Sequence, residues 1–284
     1  GSGFGDNEIN TLLTVDGTLF AGSFNGTVGR SVDNGKTWQY KAQYSNIIRT
    51  LVADPVNPST IYAGTSLGIL KSEDECISWE KIDSLNKDIN TLLISPQNSK
   101  IMYAGTGEGI FKSVNGASSW IASSNGLPED EGIYSITFDP TNPSTLYAAT
   151  YNSIFKSTDD GNSWTLKKTV ENGIYTIVFV DSKTIFAGID QGILKSSDGG
   201  ESWEESCIND TKVFSIKVDL KGNIFLGTDS GVLVSNDDGN SFTPIENGLT
   251  NYYVSSLAID SNGTVYAGTV GSGIFKFLSK KYVL

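Results

Sequence analysis

The sequence predicts an all-β fold, a seven-bladed β-propeller of four-stranded antiparallel blades, from three observations. A short phrase of the form I-Y-A-G-T recurs at Leu19–Ser23, Ile61–Thr65, Met102–Thr106, Leu146–Thr150, Ile185–Ile189, Ile224–Thr228 and Val265–Thr269. Its spacing stays near the roughly 40-residue period that one propeller blade requires. A second phrase, S-x-D-x-G-x-x-W, follows the first in six of the seven repeats. The repeats run nearly end to end through 284 residues without a proline-rich linker or charge block. One domain is therefore expected over 1–284, with blades at approximately 8–44, 45–86, 87–129, 130–170, 171–209, 210–250 and 251–284. Closed all-β folds commonly reach this length as a single unit. Such blades bury their apolar faces only against their neighbours, so the core should be divided among them.

Each repeat parses by the same rule, which the second shows. Ile48 to Ala53 alternates as an innermost strand, Asp54 to Thr60 (DPVNPST) makes a turn, and Ile61 to Gly64 forms the second strand. Gly68 to Ser72 forms the third strand and Trp79 begins the fourth. The first turn recurs as DPTNPST at Asp139 to Thr145, and in shorter form at Asp16-Gly17, Asp219 to Asn223 and Asp260 to Gly263. Proline presets φ and Asp or Asn bonds nearby backbone, which makes these structural turns.

The turn between the third and fourth strands carries the second phrase. It is intact at Ser31 to Trp38, with Asp33, at Ser157 to Trp164, with Asp159, and at Ser196 to Trp203, with Asp198. Variants occur at Ser72 to Trp79, where Asp74 is kept and Cys76 takes the glycine place, and at Ser113 to Trp120, with Asn115 and Ala117. The last variant, Ser235 to Phe242, keeps Asp237 and ends on phenylalanine. Ser and Asp side chains pair turn backbone, glycine permits positive φ, and the aromatic ring covers the blade. One or two carboxylates per turn at a spacing unlike an EF-hand do not make a metal site. The seventh repeat has no such box. Its fourth strand is expected either from Tyr282 to Leu284, the preferred closure, or from Ser2 to Asp6.

These turns resemble Asp boxes, also called BNR repeats, which occur in sialidases, xyloglucanases, sortilin-type receptors and the photosystem II assembly factor. The resemblance implies the propeller and places the box at the blade periphery, on the face away from the enzymes' active sites. A sialidase resemblance would imply an arginine triad, which Arg30 and Arg49, the two arginines present, cannot make. A xyloglucanase resemblance implies paired acidic catalysts between two propellers, and this chain supplies one propeller. The assembly-factor resemblance implies a basic partner surface, whereas this chain is acidic, so it lends the scaffold role alone.

Composition narrows the function further. A formal charge of −12 repels phosphate backbones, so nucleic acid is not expected as a partner. No apolar run approaches the roughly 20 residues of a membrane span. Without histidine, triads of the Ser/His/Asp and Cys/His types are excluded. Cys76 and Cys207 fall far apart around the ring and are expected as free thiols. No cofactor or metal is expected. Gly1-Ser2 reads as the scar of tag removal, and no signal peptide is visible. A monomer, exported to the periplasm or exterior of a bacterium, is expected.

Function should sit where the repeats differ. On the innermost strands a regular Ser or Thr (Thr11, Thr50, Thr91, Ser135, Thr176, Ser215, Ser256) follows a variable residue: Asn10, Arg49, Asn90, Tyr134, Tyr175, Phe214, Ser255. Polar groups on three blades thus face an aromatic arc on the next three. Tyr44, Phe24, Tyr151, Tyr252 and Tyr253 lie in nearby loops of the same face, here termed the top. Asn10, Arg49, Asn90, Tyr134, Tyr151, Tyr175, Phe214 and Tyr252 are the candidate ligand-binding residues, for a protein, peptide or carbohydrate. The alternative is that these rings pack blade against blade. Glycoside hydrolysis would need two carboxylates about 5–10 Å apart. The top loops supply Asp6, Glu8, Asp88, Glu129, Asp130, Glu131, Glu171, Asp190, Asp210 and Asp229, none singled out by pattern. A non-catalytic binding or scaffolding propeller is the preferred reading, ahead of a carbohydrate-active enzyme and of the sensory domain of a signalling protein.

Overall fold

Alternation puts one apolar face of each run against a neighbour, and the chain satisfies all seven faces by closing into a ring. The computed structural model describes residues 8–43, 46–171, 173–206, 208, 210–245 and 253–278. Its innermost strands are Ile9–Val15, Ile48–Ala53, Ile89–Ile94, Ser135–Phe138, Ile174–Phe179, Val213–Val218 and Val254–Ile259. Each touches its counterparts in the two adjacent blades, and the first touches the last. Successive strands pair antiparallel, giving six four-stranded sheets and, among the described residues, a three-stranded seventh. Both candidate closing strands of that blade, Tyr282 to Leu284 and Ser2 to Asp6, lie outside the described residues, as does Cys207. The first and last blades are nonetheless joined: Leu12 N–H donates to Ser256 Oγ (3.0 Å) and Thr14 Oγ1 to the Ile259 carbonyl (2.7 Å).

The core is divided as the repeat requires. Seven apolar clusters each straddle one blade interface. Ile9, Leu12, Leu19 and Ala21 meeting Ala258, Tyr266 and Ile274 form the one that closes the ring.

Each letter of the recurrent phrase has a physical task. Its first apolar residue and its alanine are buried in the interface. Its aromatic residue reaches the next blade's outer turn. The Tyr103 hydroxyl donates to the Asp160 carbonyl (2.9 Å), and Tyr147 to that of Gly199 (2.5 Å). The cross-strand lysine reinforces this: Lys112 lies 5.5 Å from the Tyr103 ring centre and donates to the same Asp160 carbonyl (2.8 Å). Lys156 repeats the arrangement over Tyr147. The glycine permits contact: a Cβ at Gly105 would lie 2.6 Å from Thr91 Cγ2 and 2.9 Å from Ile133 Cγ2 of the following blade. The final threonine closes the hairpin, as where Thr65 Oγ1 donates to the Gly68 carbonyl (2.9 Å).

The six outer turns share one hydrogen-bond pattern. In blade four, Ser157 Oγ donates to Asp159 Oδ1 (2.8 Å) and accepts from Gly161 N–H (3.0 Å). Asp159 accepts from Ser163 N–H at Oδ1 (2.8 Å) and from its hydroxyl at Oδ2 (2.6 Å). The hydroxyl residue just before the aromatic, Thr37, Ser78, Ser119, Ser163, Ser202 or Ser241, is thus a working member of the box. It stands in all six copies. The same bond corrects one expected boundary. Because Asp74 binds the Ser78 N–H, the turn extends through Ser78, and the fourth strand runs Glu80–Ile82 rather than starting at Trp79.

Asn115 reproduces the pattern with an amide, its Oδ1 accepting from Ser119 N–H (2.9 Å). Where the glycine is replaced, Cys76 and Ala117 adopt φ of 68° and 67°, and the indole N–H groups of Trp79 and Trp120 lack partners among the described residues. Trp38 and Trp203, above true glycines, donate to Gly35 and Gly200 carbonyls (3.2 and 3.1 Å). Burial pushes the free Cys76 thiol far above its usual pKa, which leaves it chemically quiet.

The box carboxylates make acid stability measurable. The Thr37 hydroxyl and N–H hold Asp33 at about 2, and Ser78 and Ser241 hold Asp74 and Asp237 at about 2, against an ordinary 3.8. A folded-state pKa below the unfolded one means a contribution fully present above about pH 4 and lost as pH falls toward 2. The urea midpoint should therefore fall across that window. The Asp33→Asn/Asp74→Asn/Asp237→Asn variant should show a shallower fall, and an unchanged slope would contradict this origin.

Candidate functional site at the channel mouth

Residues at one register position on consecutive innermost strands must reach one height of the ring, and this gathers the variable set. Asn10, Arg49, Asn90, Tyr134 and Tyr175 share a cavity of about 340 Å³ over the top of the channel, with Glu8, Phe24 and Ile47. Phe214 joins through its rings: its centroid lies 4.9 Å from that of Tyr175, edge-on, and 4.2 Å from that of Tyr253, stacked. Tyr134 and Tyr253 remain 44% and 42% exposed, so this arc presents ring surface to solvent as well as packing. Tyr151 stands apart from the cavity lining, on the hairpin of blade four beside Gly173, and is 54% exposed. Tyr252 and Tyr44 lie outside the described residues. Ser255 is turned away to structural use, donating to the carbonyls of Ile9 and Gly268.

Two carboxylates that the sequence left undistinguished organise this mouth. Asp88, in the loop entering blade three, receives Arg49 of blade two in a bidentate pair, Nε to Oδ1 at 2.8 Å and Nη2 to Oδ2 at 2.9 Å. The planar fork fixes the guanidinium over the polar side. Asp190, on the hairpin of blade five, accepts from the Tyr175 hydroxyl (2.7 Å) and the Gly173 N–H (3.1 Å), and pairs with Lys212 (2.8 Å). Burial raises the Asp190 pKa, but these donors outweigh it and hold the carboxyl below its ordinary value. Burial and the bond to Asp190 both push the Tyr175 phenol upward, so it stays protonated as a donor. Sequence proximity was the available signal: Asp88 and Asp190 each adjoin a candidate residue across a blade boundary or a hairpin.

The polar side is likewise partly committed to the scaffold. Asn10 Nδ2 donates to the Ile48 carbonyl of the next blade (3.1 Å), which ties its amide to the scaffold. The resulting surface is an aromatic arc facing an amide, a guanidinium–carboxylate pair and a second amide. Chemically it is suited to stacking a ring or an extended backbone while hydrogen-bonding its edge. Among the described residues, no three His, Cys, Asp or Glu side chains cluster as a metal site would require. No helix among them is long and apolar enough to cross a membrane.

Comparison with known proteins places the fold. A family model described as the DUF6242 beta propeller domain matches residues 98–215. A search of curated proteins finds no match. Among solved structures, the chain is similar to the GH74 enzyme of Niastella koreensis (19% identity, TM-score 0.79), covering 96% of this chain and 52% of that one. It is similar to the extracellular domain of a hybrid two component system, BT4673 from B. thetaiotaomicron (17% identity, TM-score 0.79), covering 96% of this chain and 38% of that one. It is also similar to YCF48 from Cyanidioschyzon merolae (13% identity, TM-score 0.75), covering 98% and 97%. The chain thus spans about half the length of the GH74 enzyme, less of the two-component domain, and nearly all of YCF48. At these identities the likenesses establish one property, the seven-bladed β-propeller fold.

Proposed function

We propose that the protein is a non-catalytic binding or scaffolding propeller that recognises an extended peptide or glycan across the top mouth of its channel. The observation that carries this is the shared cavity in which Tyr134 and Tyr175 face Asn10, Arg49 and Asn90. Exposed ring faces opposite fixed hydrogen-bonding edges are the usual means of holding a chain-like ligand. Tyr151, Phe214 and Tyr253 extend the ring surface along the arc.

A carbohydrate-active enzyme is the second reading, motivated by the fold likeness to a GH74 enzyme. Binding is favoured over hydrolysis because Asp88 and Asp190 at this mouth are each tied to a cation, and Asp190 is shifted downward. A glycosidase acid is shifted upward so that it carries a proton to the leaving group. Likeness to extracellular domains supports an exported, bacterial protein, and likeness in fold to a YCF48 structure bound to D1 peptide supports a peptide as one ligand class.

Tyr134→Ala/Tyr175→Ala should weaken binding of any ligand found in a peptide and glycan screen at least tenfold, about 1.4 kcal/mol, with the thermal transition still cooperative. Unchanged affinity in that folded double variant would refute the assignment.

A further inference from the structure

The opposite mouth of the channel holds a charged group that the scaffold does not use. On the innermost strands, the third position after the variable residue is apolar or small in most blades, as at Leu13, Val52, Leu93 and Val178. Blade six places Lys217 there. Its side chain is exposed and faces the lower channel. Desolvation alone acts on it and lowers its pKa, and it has no ion-pair partner among the described residues. It lines a cavity of about 550 Å³ together with Leu13, Val15, Val52 and Leu93, which belong to blades one to three across the channel. Pro55, Pro58 and Pro96 stiffen the rim, where Asp16 and Asp54 also stand. The Asp54 carboxylate is occupied by its own turn, accepting from Val56 and Asn57 N–H (2.8 and 3.2 Å).

An exposed ammonium without an ion-pair partner among the described residues is free to take a counter-anion, and one that also buries the apolar surface of the cavity gains on both counts. The chamber falls within the roughly 300–1,000 Å³ of small-molecule sites. We propose that the lower channel binds a small carboxylate carrying an apolar chain, with Lys217 as its counter-ion. The strongly acidic chain as a whole disfavours anions held by charge alone. The apolar tail therefore supplies the selectivity, and this site is separate from the ligand surface on the top face.

The test is calorimetric titration of the protein with sodium octanoate, octanol and octylamine, repeated on Lys217→Met and Lys217→Arg. Octanoate should bind once per chain, octanol at least tenfold more weakly and octylamine more weakly still. Lys217→Met should bring octanoate down to the affinity of octanol, and Lys217→Arg should stay within about threefold of the parent. A parent protein that binds octanoate no better than octanol overturns the proposal, as does Lys217→Met retaining the octanoate affinity. Met matches the apolar residues of neighbouring blades, so this variant should unfold at the parent temperature or above it. A lower unfolding temperature would show that the ammonium has a stabilising partner, and would equally overturn the proposal.

Discussion

Gly105→Val is expected to lower the stability of the ring by about 3 kcal/mol or more, or to prevent folding at 37 °C. The second strand of each blade lies so close to the innermost strand of the next that its glycine carries the contact. A Cβ at Gly105 would already stand 2.6 Å from Thr91 Cγ2 and 2.9 Å from Ile133 Cγ2. Both neighbours are β-branched, Thr91 held in a strand and Ile133 fully buried with its N–H bonded to the Thr106 carbonyl, so neither swings away cheaply. Valine adds two further carbons in the same space. Blade four supplies the counter-example: Ala149 occupies the equivalent place, fully buried, so that interface is already built to take a methyl group. Ala149→Gly should cost about 1 kcal/mol, for lost burial and added chain freedom in the unfolded state. Equilibrium unfolding of the two variants in urea checks the pair. A Gly105→Val variant within 1 kcal/mol of the parent would mean that adjacent blades are not held at this distance.

Ser157→Ala, the next largest effect, should cost about 2 kcal/mol. The serine, not the more conspicuous aspartate, is the buried member of the box, at 1% exposure. Its hydroxyl both donates to Asp159 and accepts from the Gly161 N–H, so alanine orphans a buried backbone donor. Asp159 is more replaceable, because Asn115 already does its work in blade three. Asp159→Asn should therefore be much milder than Ser157→Ala. Equal costs would indicate that charge, rather than backbone pairing, holds the turn. Boxes on distant blades share no partners, so Ser31→Ala and Ser157→Ala should add.

The fold was readable because each repeat writes the same local instructions, and a ring is the arrangement in which all of them are satisfied together. The variable set at the mouth was readable for a related reason. Asn10, Arg49, Asn90, Tyr134 and Tyr175 occupy one register position, which strand geometry converts to one height. Tyr151 sits on a hairpin, whose reach a strand register does not fix, and it stands outside the cavity. The hydroxyl before each box aromatic was visible in every copy, but its importance depends on the carboxylate geometry. Contacts between repeats were the hardest to foresee. Tyr103 meets Asp160 of the next blade, as Tyr147 meets Gly199, and Arg49 meets Asp88, contacts that appear only when adjacent blades are packed together. Lys217 was hidden differently, as one charge in an otherwise ordinary alternating run.

The proposed division of labour, fasteners in the repeated residues and recognition in the unlike ones, has a direct measurement. Affinity for the ligand identified by a peptide and glycan screen should be compared in the parent, in Tyr134→Ala/Tyr175→Ala and in Ser157→Ala, at a temperature where all three are folded. The mouth variant should lose at least tenfold in affinity with little loss of stability, and the box variant should lose stability while binding as the parent does. Parent-like binding by the mouth variant, or loss of binding in the folded box variant, would contradict the account.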